Sequence, residues 1–342
     1  MGTDPALWRH GRAAKLLITG ATGMVGRHLV EEALRRGYEV LAPVRSPEKA
    51  KDLTDPGIHL VHTDLTDPAA VRDLFRLHRP DYVIHNAGVT KLNVRQSADY
   101  AANVEMVRIL LDAASEWTPD LKKFVFNSSL EAGGPGDETT MQPKRIGDDA
   151  QPVTDYGRSK REAEQVITDR ASVPYVIFRP GGVYGRYDRG LLPYFSLARF
   201  GILPLFVSDR QRISVIYAKD LARLFLDSLA SDVSSGTYYA SDGQVYTTAE
   251  FAGAIARQLN KAARTPVIPR RSLMLLSRFS ESLAKYAGFK NFLPEERVRQ
   301  LVYLNWSCDI SETVRAFGFK PDYMLEEGLA DASDWYLKGL RQ

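Results

Sequence analysis

From Lys15 onward, short apolar, β-branched runs alternate with longer stretches of helical periodicity, and few folds satisfy that alternation. A strand that is apolar on both faces must be covered on both faces, which places it in a parallel sheet whose connections are helices. The strand-like runs are KLLITG, YEVLAPV, IHLVH, DYVIHNAG, KKFVFNSS and PYVIFRP. The first interval, MVGRHLVEEALRRG, puts Val25, Leu29 and Ala33 on one helix face and stops at Gly37. Further helical patterns cover 68–78, 97–116 and 156–171. After Pro180 the rhythm gives way to Gly, Pro and aromatic residues. A strand near ISVIYAKD, a helix near 219–230 and segments rich in Arg and Leu then follow.

A chain of 342 residues, 44% hydrophobic and 25% charged, has the composition of a globular protein with a large core. Its net charge of +3 comes from interleaved cations and anions, which argues against a nucleic-acid partner. The single cysteine, Cys308, excludes an internal disulfide and a multi-cysteine metal centre, and it fits a cytoplasmic location. His59 and His62 stand three apart in a strand and so point to opposite faces; no metal site is expected. The opening dozen residues lack the apolar run of a signal peptide and read as a loose tail. No stretch has the apolar length of an integral membrane segment.

GATGMVG places Gly20, Gly23 and Gly26 between the first strand and the first helix. There a tight turn carries backbone N–H groups and a positive helix end toward an anion, and side chains at those positions would block a pyrophosphate. The second strand ends PVRSPEK, offering Arg45, with Lys49 nearby, where a carboxylate would hold the ribose of NAD. An arginine there suits a 2′-phosphate, although a solvated basic loop is the plainer alternative. Asp64 ends the third strand and either bonds an adenine or caps the next helix.

In TDYGRSKREAEQVI, Tyr156, Lys160, Ala163 and Ile167 form one stripe of a helix. A lysine on the side facing the protein is costly unless it has a partner or a task.

GATGMVG, HNAG, FNSSLEAGG, YGRSK and RPGGVYG, in this order, resemble the extended branch of the short-chain dehydrogenase/reductase family, from about Lys15 almost to the end of the chain. The resemblance implies an α/β fold: a Rossmann-like, doubly wound parallel sheet with a smaller, mostly helical C-terminal substrate-binding part. It implies an NAD(P)-binding Rossmann domain over 13–180, completed by about 211–242, and a substrate-binding part over 181–210 and 243–342. Tyr156 resembles the family's acid/base, Lys160 its partner, Ser129 the hydroxyl that holds the substrate oxygen, and Asn103 the asparagine of the preceding helix. An ammonium beside a phenol is expected to lower its pKa, and Lys160 is expected to bond the nicotinamide ribose as well. The implied cofactor contacts are Gly20, Thr22, Gly23, Met24, Val25, Gly26, Arg45, Asp64, Leu65, Ala87, Gly88, Tyr156 and Lys160. Pro180 and Val183 match the segment that orients the nicotinamide. The cofactor expected is NADP, with NAD possible, and the helices near 97–116 and 156–171 resemble a pair that forms a homodimer contact. Met106 and Tyr217 depart from the pattern, standing where glycine and histidine are common.

Relatives that only sense the dinucleotide lose the tyrosine or lysine, whereas both are present here, so an enzyme acting on a small molecule is expected. Gly182 stands where nucleotide-sugar epimerases and dehydratases carry an asparagine, which favours a ketone or secondary alcohol as substrate. Leu191, Tyr194, Phe195 and Phe206 suit an apolar pocket or plain core, while Arg186, Arg189, Arg210 and Arg212 are available to a sugar diphosphate. The stretch 270–289 reads as an amphipathic helix, packed on the neighbouring domain or lying on a membrane surface.

Overall fold

The computed structural model describes residues 8–9, 12–90, 97–287 and 295–340. Strands β1 (Lys15–Thr19), β2 (Glu39–Val44), β3 (Ile58–His62), β4 (Tyr82–His85), β5 (Lys123–Asn127) and β6 (Tyr175–Pro180) match the six expected runs. Helices α1 (Met24–Arg35), α2 (Pro68–His78), α3 (Ala101–Trp117), the one-turn α4 (Leu130–Gly133) and α5 (Asp155–Arg170) lie between them. Beyond Pro180 come β7 (Gly182–Tyr184), α6 (Leu192–Ala198), β8 (Leu205–Phe206), β9 (Arg212–Ile213), β10 (Val215–Tyr217), α7 (Ala218–Ala230) and β11 (Ser235–Ala240). The remainder is β12 (Tyr246–Thr247), α8 (Thr248–Gln258), β13 (Val267–Ile268), α9 (Arg270–Ala287), α10 (Glu295–Leu301), β14 (Asn305–Trp306), α11 (Ser311–Phe317) and α12 (Leu325–Gly339).

Seven strands form one parallel sheet in the order β11-β6-β5-β4-β1-β2-β3. The chain order reverses between β1 and β4, so the carboxyl ends of those strands part there and leave the crevice that open α/β sheets use for ligands. Alternation along a strand sends Leu16 and Ile18 into the core under α1 and α7, and Leu17 into the core under α2, α3 and α5. A third core joins α6, α8 and α12 in the C-terminal part. β3 is the sheet edge, and its Leu60 is exposed.

One expectation is corrected. The opening residues are not wholly loose, because Trp8–Arg9 pairs antiparallel with Arg12–Ala13. The expected stop of α1 is where the sequence places it: the helix ends at Arg35, and Gly37, with φ +88°, closes it by donating its N–H to the Leu34 carbonyl.

Three elements of the sheet and its helices are tied by one buried ion pair. Glu164 of α5 and Arg179 of β6 are 1% and 4% exposed. The Glu164 carboxylate accepts Arg179 Nε at 2.8 Å and Nη2 at 2.6 Å, and the hydroxyl of Ser128, just past β5, at 2.5 Å. Removing Arg179 leaves Glu164 buried with the partly exposed Arg161, at 3.2 Å, as its remaining cation, and removing Glu164 strands the Arg179 charge in low dielectric. Arg179→Met is expected to lower stability in urea unfolding by about 3–5 kcal/mol, with most of it regained in the double variant Glu164→Leu/Arg179→Met. A single variant as stable as the parent would show that the pair is solvent-relaxed.

Candidate functional site

Thr19 closes β1 and organises the crevice at its end. Its Oγ1 accepts the N–H groups of Asn86 and Ala87, each at 3.0 Å, so its own hydroxyl donates to His85 Nδ1 at 2.8 Å. Burial, with the nearby Lys160 charge, pushes His85 down to about 3, so the ring is neutral. This links the ends of β1 and β4, beneath the glycine turn.

Within that turn, Gly20 has φ +69° and a Cβ there would meet the Ala87 backbone at 2.9 Å. A Cβ on Gly26 would lie 2.0 Å from the Gly20 carbonyl oxygen. α1 then starts at Gly23 with no side-chain cap and no acidic residue in its first turn. A positive helix end without its own carboxylate, behind a turn whose glycines leave the backbone there bare, fits a pyrophosphate. Thr22, Gly23 and Met24 reach the surface, whereas Val25 and Leu65 are core side chains that leave only backbone to a ligand.

Arg45 directly follows β2 and is exposed, beside Asp64 at the end of the neighbouring β3. Asp64 accepts the Thr66 N–H at 3.0 Å and its hydroxyl at 2.8 Å. Those bonds, together with the Arg45 charge, hold its carboxyl below the usual range. The cap of α2 is a different residue, Asp67, which accepts from Ala69 and Ala70. The capping alternative for Asp64 is thereby corrected.

Ser129, Tyr156 and Lys160 converge at the carboxyl ends of β5 and β6. Lys160 is buried, donates to the Asn127 carbonyl at 2.8 Å and stands 4.6 Å above the Phe126 ring. A Cβ on Gly88 would reach within 3.5 Å of its Nζ, so the glycine leaves that approach open. Ser129 caps α4 by accepting the Glu131 N–H at 3.2 Å, and it also bonds the Tyr156 phenol. The expected lowering of that phenol by Lys160 is not what this arrangement gives. Burial dominates and pushes Tyr156 above its ordinary value, the Glu131 charge adds to this, and the Ser129 bond opposes it. Asn103 holds the chain behind Lys160. Its Oδ1 accepts the Val89 N–H at 2.7 Å, and its Nδ2 donates to Val89 O and Ser159 Oγ, each at 3.1 Å. Met106 fills the core under α3.

Two carboxylates that sequence reasoning missed hold the start of α5. Glu131 accepts the Thr154 hydroxyl at 2.7 Å and Gln300 at 3.2 Å, while Thr154 caps α5 by accepting the Gly157 N–H. Glu296 of α10 accepts the Tyr156 N–H at 2.9 Å and the Tyr100 hydroxyl at 3.1 Å.

A cavity of about 410 Å³ opens off Ser129, with Pro180, Gly182 and Val183 in its wall. Leu191, Tyr194 and Phe206 line it, in keeping with the apolar-pocket expectation, but Phe195 is core, stacked on Tyr336 at 4.2 Å. Arg186, Arg189, Arg210 and Arg212 are all absent from its lining. Arg186 approaches Asp331, and Arg212 donates to the Met141 carbonyl. Among the described residues, the cation that lines the cavity is Arg297. Asp188, also in the wall, is pushed up to about 6 by burial. Tyr217, at the end of β10, donates to Asp331 of α12 at 2.5 Å, a bond that ties these two elements together.

The sequence pattern of the NAD dependent epimerase/dehydratase family matches residues 16–240. The chain belongs to that family. With it, the chain stands among nicotinamide-dependent enzymes. A ceramide reductase of Caulobacter vibrioides is 26% identical, with 93% of each chain covered. A UDP-glucose 4-epimerase of Vibrio cholerae is also 26% identical, over 94% of this chain and 95% of that one. In fold, the chain matches the UDP-glucose 4-epimerase of Thermotoga maritima, determined with UDP-glucose, at a TM-score of 0.77. The two are 19% identical, with 95% of this chain and 99% of that one covered.

In this family member the Lys160 ammonium carries the main titration of the site. Burial, opposed by the Glu164 charge, pushes it down to about 8 from an ordinary 10.5. The charged form is thus disfavoured on folding, and the unfolded chain binds more protons between those values, so this group makes stability rise with pH through that window. Lys160→Met lacks that rise. Denaturant titrations at pH 7 to 10 should show the parent gaining on the variant above pH 8. Parallel curves would place the ammonium in a solvated setting.

Proposed function

We propose that the chain is an NADP-dependent oxidoreductase that interconverts a ketone and a secondary alcohol on a largely apolar molecule. The observation that carries the reading is the cavity off Ser129: apolar walls, a bare Gly182, and Arg297 in place of the four arginines a sugar diphosphate was expected to use. When bound, the nicotinamide supplies or takes up the hydride. The chain's residues manage the oxygen and its proton. Ser129 Oγ donates to the substrate oxygen, and the Tyr156 hydroxyl, linked to it, delivers or removes the proton. The raised phenol keeps Tyr156 protonated, which suits proton delivery to a ketone. Lys160, open to the ligand side past Gly88, holds the ribose and stabilises any phenolate electrostatically. Residues 13–180 with 211–242 hold the cofactor in this reading, and 181–210 with 243–342 shape the substrate pocket. The family description leaves epimerisation or dehydration of a nucleotide sugar as the second reading, and Arg297 is the residue that favours it.

The reaction is tested with NADPH and a panel of apolar ketones, sterols and nucleotide sugars. Turnover is expected with apolar ketones, and Tyr156→Phe is expected to lose it by about a hundredfold with cofactor affinity unchanged. Activity confined to nucleotide sugars, or a fully active Tyr156→Phe, sinks the reading.

Cofactor choice rests on Arg45, exposed at the tip of β2 and within the field of Asp64. A charge-assisted contact to a 2′-phosphate is worth roughly 1–3 kcal/mol. Arg45→Ala should therefore weaken NADP by about tenfold or more and leave NAD nearly unchanged, as read by fluorescence titration. Parent protein that binds NAD as tightly as NADP removes Arg45 from that role.

A further inference from the structure

Over residues 270–280, helix α9 has its polarity reversed. The side chains it buries are Leu273, Ser277 and Ser280, two of them serine. Turned outward are Met274, Leu275, Leu276 and Phe279, with Leu275 67% and Phe279 59% exposed. A helix on a water-facing surface buries its apolar stripe and exposes its polar one. Beside it lies a second exposed apolar group: Leu197, Phe200, Ile202 and Val267, Phe200 being 81% exposed. The backbone joins the two. Ile202 bridges to Arg264, Leu205 of β8 pairs with Val267 of β13, and α9 starts three residues later.

The charges of this edge are mostly of one sign. Segments 189–208 and 261–280 hold seven Lys and Arg residues and neither Asp nor Glu, although the whole chain nets only +3. The first acids after the two segments are Asp209 and Glu281. Arg199, Arg264, Arg270, Arg271 and Arg278 are exposed among the apolar side chains. A second copy of the chain would bring like charges together across such a face, whereas an anionic bilayer offers both an apolar layer and opposite charge.

We infer that this edge docks on the surface of an anionic phospholipid bilayer, with Leu275, Phe279 and Phe200 at the boundary of headgroups and acyl chains and the arginines at the phosphates. Among the described residues no helix is long and apolar enough to cross a membrane, so the contact is peripheral. Residues 203–206, which follow Ile202 directly, form part of the cavity wall, so docking brings that wall to the lipid. The docking does not depend on which substrate the cavity takes.

The test is flotation of the full chain with vesicles of phosphatidylcholine alone or of phosphatidylcholine with phosphatidylglycerol, at low and high salt. Recovery with the anionic vesicles is expected to exceed that with neutral ones by about tenfold or more and to fall at high salt. Leu275→Glu/Phe279→Glu should abolish recovery without moving the melting temperature, since both positions are exposed. Equal recovery on neutral vesicles, or undiminished flotation of the variant, overturns the inference. So does light scattering that shows a dimer converted to a monomer by the same substitutions without vesicle binding, which would assign the face to self-association.

Discussion

The geometry of the site depends on a charge held where charges are expensive. Desolvating Glu164 and Arg179 costs several kcal/mol for each ion, and their two direct bonds and the Ser128 hydroxyl offset that cost only while α5, β5 and β6 keep their mutual register. Glu164 lies one turn beyond Lys160 on α5, Ser128 precedes Ser129, and Arg179 precedes Pro180. Ser129 and Pro180, both in the cavity wall, and Lys160 of the same site are therefore each one residue or one turn from Ser128, Arg179 or Glu164. An apolar trio in the same place would pack as densely but would not fix direction, because the hydrophobic effect is non-directional and a bidentate guanidinium bond is not.

The opposite end of α5 is secured from farther away. Thr154 caps the helix and is itself held by Glu131 from the turn after β5, while Glu296 reaches the Tyr156 N–H from α10, 140 residues on. A carboxylate at a helix N-terminus is favoured by the unpaired N–H groups and the helix dipole. Here it also joins the C-terminal part to the helix that carries Tyr156 and Lys160. Gln300, three residues after Arg297, bonds Glu131 as well, so α10 holds both ends of the Thr154–Tyr156 turn, Thr154 through Glu131 and Tyr156 through Glu296.

The range over which each interaction acts decides how much of this is legible in the sequence. The six strands, the glycine turn and the buried stripe of Lys160, Ala163 and Ile167 are local patterns, readable because period and turn chemistry act within a few residues. Glu131, Glu296 and Asp188 escape a sequence reading because nothing beside them in the chain marks their partners. Arg179 does leave a signal: an arginine inside the apolar run VIFRP needs a buried counter-charge, and Glu164 stands on the helix just before. The Tyr156 phenol misleads for another reason. Spacing points to an ammonium's influence on the phenol, but the desolvation that raises it depends on every side chain that covers the ring, Tyr100 among them.

The cavity's own electrostatics argue in the direction of its shape. Glu131 and Asp188 both lie in its wall, with Arg297 as the cation that lines it. Among the described residues, a diphosphate entering there would meet two carboxylates for one guanidinium, in a space where the apolar residues Leu191, Leu205, Phe206 and Trp306 raise the strength of each charge interaction. Asp188, pushed up to about 6, is ready to take a proton and so lose its charge when an uncharged molecule dries the pocket further. An apolar substrate gains from the same dryness that penalises an anion, and the dense, unpaired negative charge of a diphosphate has most to lose by leaving water. Wall polarity and wall charge both support the apolar substrate proposed for the cavity, and they do so through residues far apart in the chain that share only the cavity.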